Sequence, residues 1–239
     1  MAFRRTTTDW HGVLLLLGLT AAVAALWDTP VVYPLKILVV FFHELSHGLM
    51  AVLTGGEIVE IQVVKEQGGL CITRGGSRIL TLSAGYLGSL VWGGAILTLA
   101  ARTRLDRGVA VVLGAILLAV TAIFVRPVIG FGFGFGVASS LVLILLGLKL
   151  SERVCDLVLR VIGLTSCLYA VLDIKSDILD RPEVRSDAAM LAEVTGLPTT
   201  FWGVLWISVA VLSALGFLYF AARREERGLA ALSGRRPPA

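Results

Sequence analysis

Apolar residues in this chain come in long unbroken runs rather than in the one-sided stripes of a surface helix. Runs near 12 to 27, 31 to 54, 79 to 100, 108 to 125, 128 to 150, 154 to 174 and 201 to 222 approach or exceed the roughly 20 residues that a helix needs to cross a bilayer. Backbone N–H and C=O groups find no water in hydrocarbon, so such runs must satisfy them internally as helices. The pattern predicts an all-α membrane protein, a polytopic bundle of six or seven transmembrane helices with the lipid bilayer as its solvent. The first run follows Arg4 and Arg5 in the manner of a signal peptide, yet it ends at Trp27-Asp28 without a small-x-small cleavage site and reads as an anchor.

The interruptions carry the rest of the architecture. Between the second and third runs, GGEIVEIQVVKEQGGLCITRGGSR places β-branched residues between glycine pairs, which predicts a β-hairpin with strands near Ile58 to Val64 and Leu70 to Thr73 and a turn at Gln67-Gly68-Gly69. In the third run, Gly85, Ser89 and Gly93 recur every four residues and leave one helical face nearly bare for another helix. The run RPVIGFGFGFGVASS alternates glycine and phenylalanine with a strand's period of two. An open strand cannot face lipid, so this piece is either a glycine-tolerant helix packed among others or a re-entrant segment. From 175 to 200 the chain is polar, and Ser186-Asp187 before AAMLAEVTG predicts the start of a short helix, with Asp187 as its cap and Gly196 and Pro198 as stop signals. Residues 1–222 thus form one transmembrane domain containing the hairpin (57–74) and the polar loop (175–200). A charged, disordered tail covers 223–239.

Composition agrees: of 239 residues 56% are hydrophobic and 16% charged, too apolar for an ordinary water-soluble domain. The net charge of +4 does not imply nucleic acid, because the arginines stand where runs leave the membrane, as at Arg102, Arg104, Arg223 and Arg224. Three cysteines, Cys71, Cys155 and Cys167, are odd in number and lack metal-type spacing, so no disulfide framework follows.

Two of only three histidines lie in FFHELSHGLMAV, inside an apolar run where ionisable groups are costly. His43 and His47, four residues apart, point from one helical face and match the spacing that holds zinc, with Glu44 placed to work on a water. Zinc offsets the cost of burying them. The alternative is a proton- or metal-ion-conducting transporter using the same cluster. A catalytic zinc site takes three protein ligands and an open position. His11, at the start of the first run, reads as an interface residue, which leaves carboxylates near the bilayer as candidates for the third ligand.

FFHELSHGLMAVLTGG, the hairpin, SAGYLGS and LYAVLDIKSD together resemble the site-2 protease family of intramembrane zinc metallopeptidases, its compact bacterial branch in particular. The resemblance implies a zinc metalloendopeptidase that cuts transmembrane protein or peptide substrates within or beside the bilayer. It also implies an aspartate on a later transmembrane helix as third ligand, within a Leu-Asp-Gly context. Asp173, in Leu172-Asp173-Ile174, matches that position with Ile in place of Gly, and Asp177 one turn on is the next choice. The site residues expected are therefore His43, His47 and Asp173 on zinc and Glu44 as general base. Arg4 and Arg5 favour a cytoplasmic N-terminus; with two crossings before the hairpin, the active site then lies nearer the cytoplasmic face of a bacterial cell membrane.

Overall fold

A computed structural model describes residues 6–8, 10–180 and 185–225. A short strand β1 (Thr6–Thr8) precedes α1 (Trp10–Ala25) and α2 (Tyr33–Leu53). The hairpin β2 (Glu57–Val63) and β3 (Gly69–Arg74) follows. Then come α3 (Arg78–Arg102), α4 (Asp106–Phe124), α5 (Phe131–Lys149) and α6 (Glu152–Lys175), which continues into a π turn, Ser176–Asp180. The short α7 (Asp187–Thr195), the last long helix α8 (Thr199–Ala222) and a strand β4 (Arg223–Glu225) complete the described chain. The expected all-α polytopic bundle with a hairpin after the motif helix is the observed architecture. Most of the expected tail, 226–239, lies outside the described residues.

Among the described residues six helices, α2 to α6 and α8, are long and apolar enough to cross a membrane. The first run gives only the 16 residues of α1, about 24 Å of helix against a hydrocarbon core of about 30 Å. β1 pairs antiparallel with β4, so the start of α1 lies beside the end of α8. Five spans separate the end of α2 from the end of α8, which puts them at opposite ends of the bundle. The orientation argued from Arg4 and Arg5 needs a full crossing by α1, and this pairing does not support it.

α2 is the central helix: 72% of its apolar window is buried, against 6% for α8. Its side chains from Ile37 to Phe42 are all buried and form the middle of the largest core cluster. α3 returns antiparallel along it, with Thr81 beside His47 and Trp92 stacked on Phe42. On the other face of α3, Gly93 meets the backbone of Gly163 on α6, and Ser166 Oγ donates to the Ser89 carbonyl at 2.7 Å. Ser89 and Gly93 thus permit the close helix approach expected of them, because no side chain separates the two backbones.

The glycine-phenylalanine run resolves as a continuous helix, α5. Gly132 lies against Val63 of the hairpin and Gly136 against Thr121 and Phe41, while Phe135 stacks on Phe41 at 6.1 Å between ring centroids. Glycines four apart face the core, so the period-two letters conceal a helical face.

The hairpin folds back along α2 instead of projecting from its end. Gly55, at φ 90°, turns the chain in a conformation that glycine adopts without strain. Ile58 then packs on bare Gly48, and at the far end Tyr33 Oη donates to the Lys65 carbonyl at 2.7 Å. The strands pair in antiparallel register, Ile61 opposite Cys71, with an irregularity between Ile58 and Glu60. The outer edge of β2 is covered, since the Arg126 amide donates to the Ile61 carbonyl at 2.9 Å. The outer edge of β3 faces the motif.

Candidate metal centre

His43 and His47 leave α2 on one face because they are one helical turn apart, and their ring centroids lie 4.7 Å apart. His47 Nδ1 lies 2.7 Å from the backbone carbonyl of Thr81. A carbonyl can only accept, so Nδ1 carries a proton and Nε2 is the nitrogen turned toward a metal. His43 packs edge-on against Tyr86, with 5.3 Å between ring centroids.

The two Nε2 atoms meet one carboxylate. Asp187 Oδ2 lies 3.0 Å from His43 Nε2 and 3.1 Å from His47 Nε2. Asp187 is the first residue of α7. The preceding Ser186 takes the cap, its Oγ accepting from the Ala189 amide at 3.3 Å, so the aspartate side chain is left for the histidines. Fully buried Ala188 and Leu191 seat the helix. Burial alone would push the Asp187 carboxyl up, but the two imidazoles outweigh it and hold it below the usual carboxylate range. Asp187 is therefore an anion at neutral pH.

Glu44, beside the first histidine, points to the hairpin. The Cys71 amide donates to its carboxylate, and a Cβ on Gly69 would overlap that carboxylate. β3 can pass over the glutamate only because Gly69 is bare. The Cys71 thiol is pushed up to about 12 by burial and by the Glu44 charge, which makes it a neutral neighbour and not a thiolate.

One ligand atom from each of His43, His47 and Asp187 lies within 4.8 Å of the other two. Tetrahedral zinc at about 2.0–2.1 Å from its ligands spaces those ligands roughly 3.3 Å apart, close to the observed Nε2 to Oδ2 separations. Two imidazoles and a carboxylate are a zinc donor set. Space in front of them is kept by Gly85, where a Cβ would overlap Nε2 of both histidines. The residues present fit zinc.

The site opens on a cavity of about 660 Å³ whose wall runs from Val40, Gln67 and Tyr169 to Gly76, Arg78 and Arg185. The expected residues are distributed around it unequally. His43, Glu44 and His47 stand together, and the third side chain whose ligand atom converges with those of the two histidines is Asp187. Asp173 is in the cavity wall on α6, outside the convergent set. Asp177 accepts from Tyr86 Oη at 2.6 Å. His11 is exposed at the start of α1. The sequence offers Asp187 as a cap; serine, an equally good cap one residue earlier, takes that role and leaves the aspartate free. Gly69 and Gly85 are not legible as site residues in the sequence, because a bare face reads the same whether it meets a helix or a metal ligand.

A family model described as Peptidase M50B-like matches residues 16–217 of the chain. No curated protein and no solved structure matches it.

Proposed function

Because the chain belongs to the Peptidase M50B-like family, whose members are membrane metalloproteases, we propose that it is an intramembrane zinc metalloprotease that hydrolyses peptide bonds of transmembrane substrates. His43, His47 and Asp187 are its zinc ligands and Glu44 its general base. The observation that carries this reading is the convergence of His43 Nε2, His47 Nε2 and Asp187 Oδ2 in a cavity that Glu44 also lines.

Zinc in this donor set supplies polarisation of the scissile carbonyl and a water acidified toward neutrality. Glu44 accepts a proton from the attacking water as the C–O bond forms and returns it to the leaving nitrogen as the C–N bond breaks. Before substrate arrives, the Cys71 amide holds the glutamate in place.

A substrate helix hides its carbonyls in hydrogen bonds and must unwind before water can attack. The outer edge of β3 is suited to receive the unwound segment by strand addition. Cys71 directs its amide outward to Glu44, so by the two-residue period of a strand Gly69 and Thr73 also face their amides outward, and all three line the cavity. We further propose that the site lies nearer the cytoplasmic face of a bacterial cell membrane, on the strength of the family resemblance.

The test is cleavage of a transmembrane peptide in liposomes by wild type and Glu44→Gln, matched for zinc, with fragments identified by mass spectrometry. Glu44→Gln should keep zinc and lose about two or more orders of magnitude in rate. Ion flux without fragments from wild type would favour a transporter; equal cleavage by both proteins would remove Glu44 from the mechanism.

A further inference from the structure

Thr81 departs from a habit of other helical threonines in this chain. Thr20, Thr121, Thr165 and Thr195 each donate their hydroxyl to the carbonyl four residues back, at 2.7 or 2.8 Å. The Thr81 hydroxyl does not, and among the described residues no protein atom pairs with its Oγ1, although the residue is only 8% exposed. A buried hydroxyl without a partner is destabilising by more than a typical hydrogen bond contributes. Such groups are rare in folded proteins, and each calls for an explanation.

The oxygen itself is covered in this structure, and its surroundings are those of the metal centre. Thr81 stands in the wall of the cavity that holds His43, Glu44, His47 and Asp187. Its own carbonyl faces His47 Nδ1, so its backbone is fixed relative to the histidine pair. One turn further along the same face of α3, Gly85 leaves open the space in front of both Nε2 atoms. A scissile peptide needs that space to reach the convergent ligand atoms. This short face of α3 therefore supplies an orienting carbonyl and a gap for the reacting group, and carries the unpaired hydroxyl beside them.

We propose that Thr81 is a catalytic residue whose hydroxyl donates a hydrogen bond to the scissile carbonyl oxygen as that oxygen gains negative charge. The inference rests on the metalloprotease reading above. A donor placed where charge develops acts mainly on the transition state. Its loss should lower kcat and leave KM nearly unchanged.

Thr81→Val removes the hydroxyl at nearly constant shape and leaves the backbone carbonyl that faces His47. Zinc content should stay at the wild-type level and Tm should be unchanged or higher, because an unpaired buried polar group is replaced by an apolar one. kcat should fall about 10²-fold with KM within a few-fold, and Thr81→Ser should recover most of the loss. A Thr81→Val kcat within threefold of wild type would overturn the proposal. So would a lowered Tm or lost zinc in that variant, which would make the hydroxyl structural, or a Thr81→Ser variant as slow as Thr81→Val. Absence of peptide products from wild type would refute the protease reading itself, whereas equal cleavage by wild type and Thr81→Val would refute only the role of Thr81.

Discussion

Replacing Asp187 by alanine separates the two candidate third ligands by their effect on zinc. The side chain joins the centre through one oxygen, 3.0 and 3.1 Å from the two Nε2 atoms, and α7 keeps its own supports without it: the Ser186 cap and buried Ala188 and Leu191. The helix should therefore stay docked, and the change should be confined to the donor set. Structural zinc sites bind with about 10–16 kcal/mol over four ligands, or about 3 kcal/mol per ligand. At about 1.4 kcal/mol per decade, losing one ligand weakens zinc by roughly 10²- to 10³-fold. Asp173→Ala removes a carboxylate from the cavity wall but none from the convergent set, and should change zinc affinity by less than about 10-fold, the lower end of the range for outer-shell partners. Competition with a zinc-responsive chelator on detergent-solubilised protein measures both, with circular dichroism as the check on helix content. Wild-type affinity in Asp187→Ala, or a larger loss in Asp173→Ala than in Asp187→Ala, would refute the ligand assignment.

Gly85→Ala places a Cβ over both histidine Nε2 atoms and should abolish zinc binding, whereas Gly134→Ala, with nothing within 4 Å of the new carbon, should leave zinc and activity unchanged; metal analysis of the two purified variants decides. Gly69→Ala would overlap the Glu44 carboxylate, so cleavage should fall with zinc retained, and normal turnover would show that β3 does not lie over the base. Thr73→Pro removes an outward amide of β3 at a position where proline can be accommodated on an edge. It should weaken substrate binding without loss of zinc, and unchanged affinity for a transmembrane peptide would argue against strand addition. An Arg78→Cys variant places a thiol at the cavity rim; labelling in intact cells by a membrane-impermeant reagent would contradict the cytoplasmic orientation.

Much of this protein follows from local pattern. The apolar runs determine the spans, since hydrocarbon leaves a chain few alternatives to helix, and the His43 to His47 interval determines a shared helical face. The hairpin is legible too, because glycine pairs and β-branched runs act over a few residues. The alternating glycines and phenylalanines from 130 to 136 are ambiguous as letters. Only packing on Thr121, Phe41 and Val63 shows that two of the glycines form a helical contact face. The second carboxylate of the site depends on tertiary structure most of all. Asp187 is 144 residues from His43 in sequence and reaches it because α7 docks beside α3 and α8, a contact that no local preference encodes. Within the letters, Asp173 stands at the close of an apolar run, and Asp177 and Asp187 stand in the polar stretch that follows it. What separates them is the docking of α7 beside α3 and α8 and the cap at Ser186 that leaves Asp187 free.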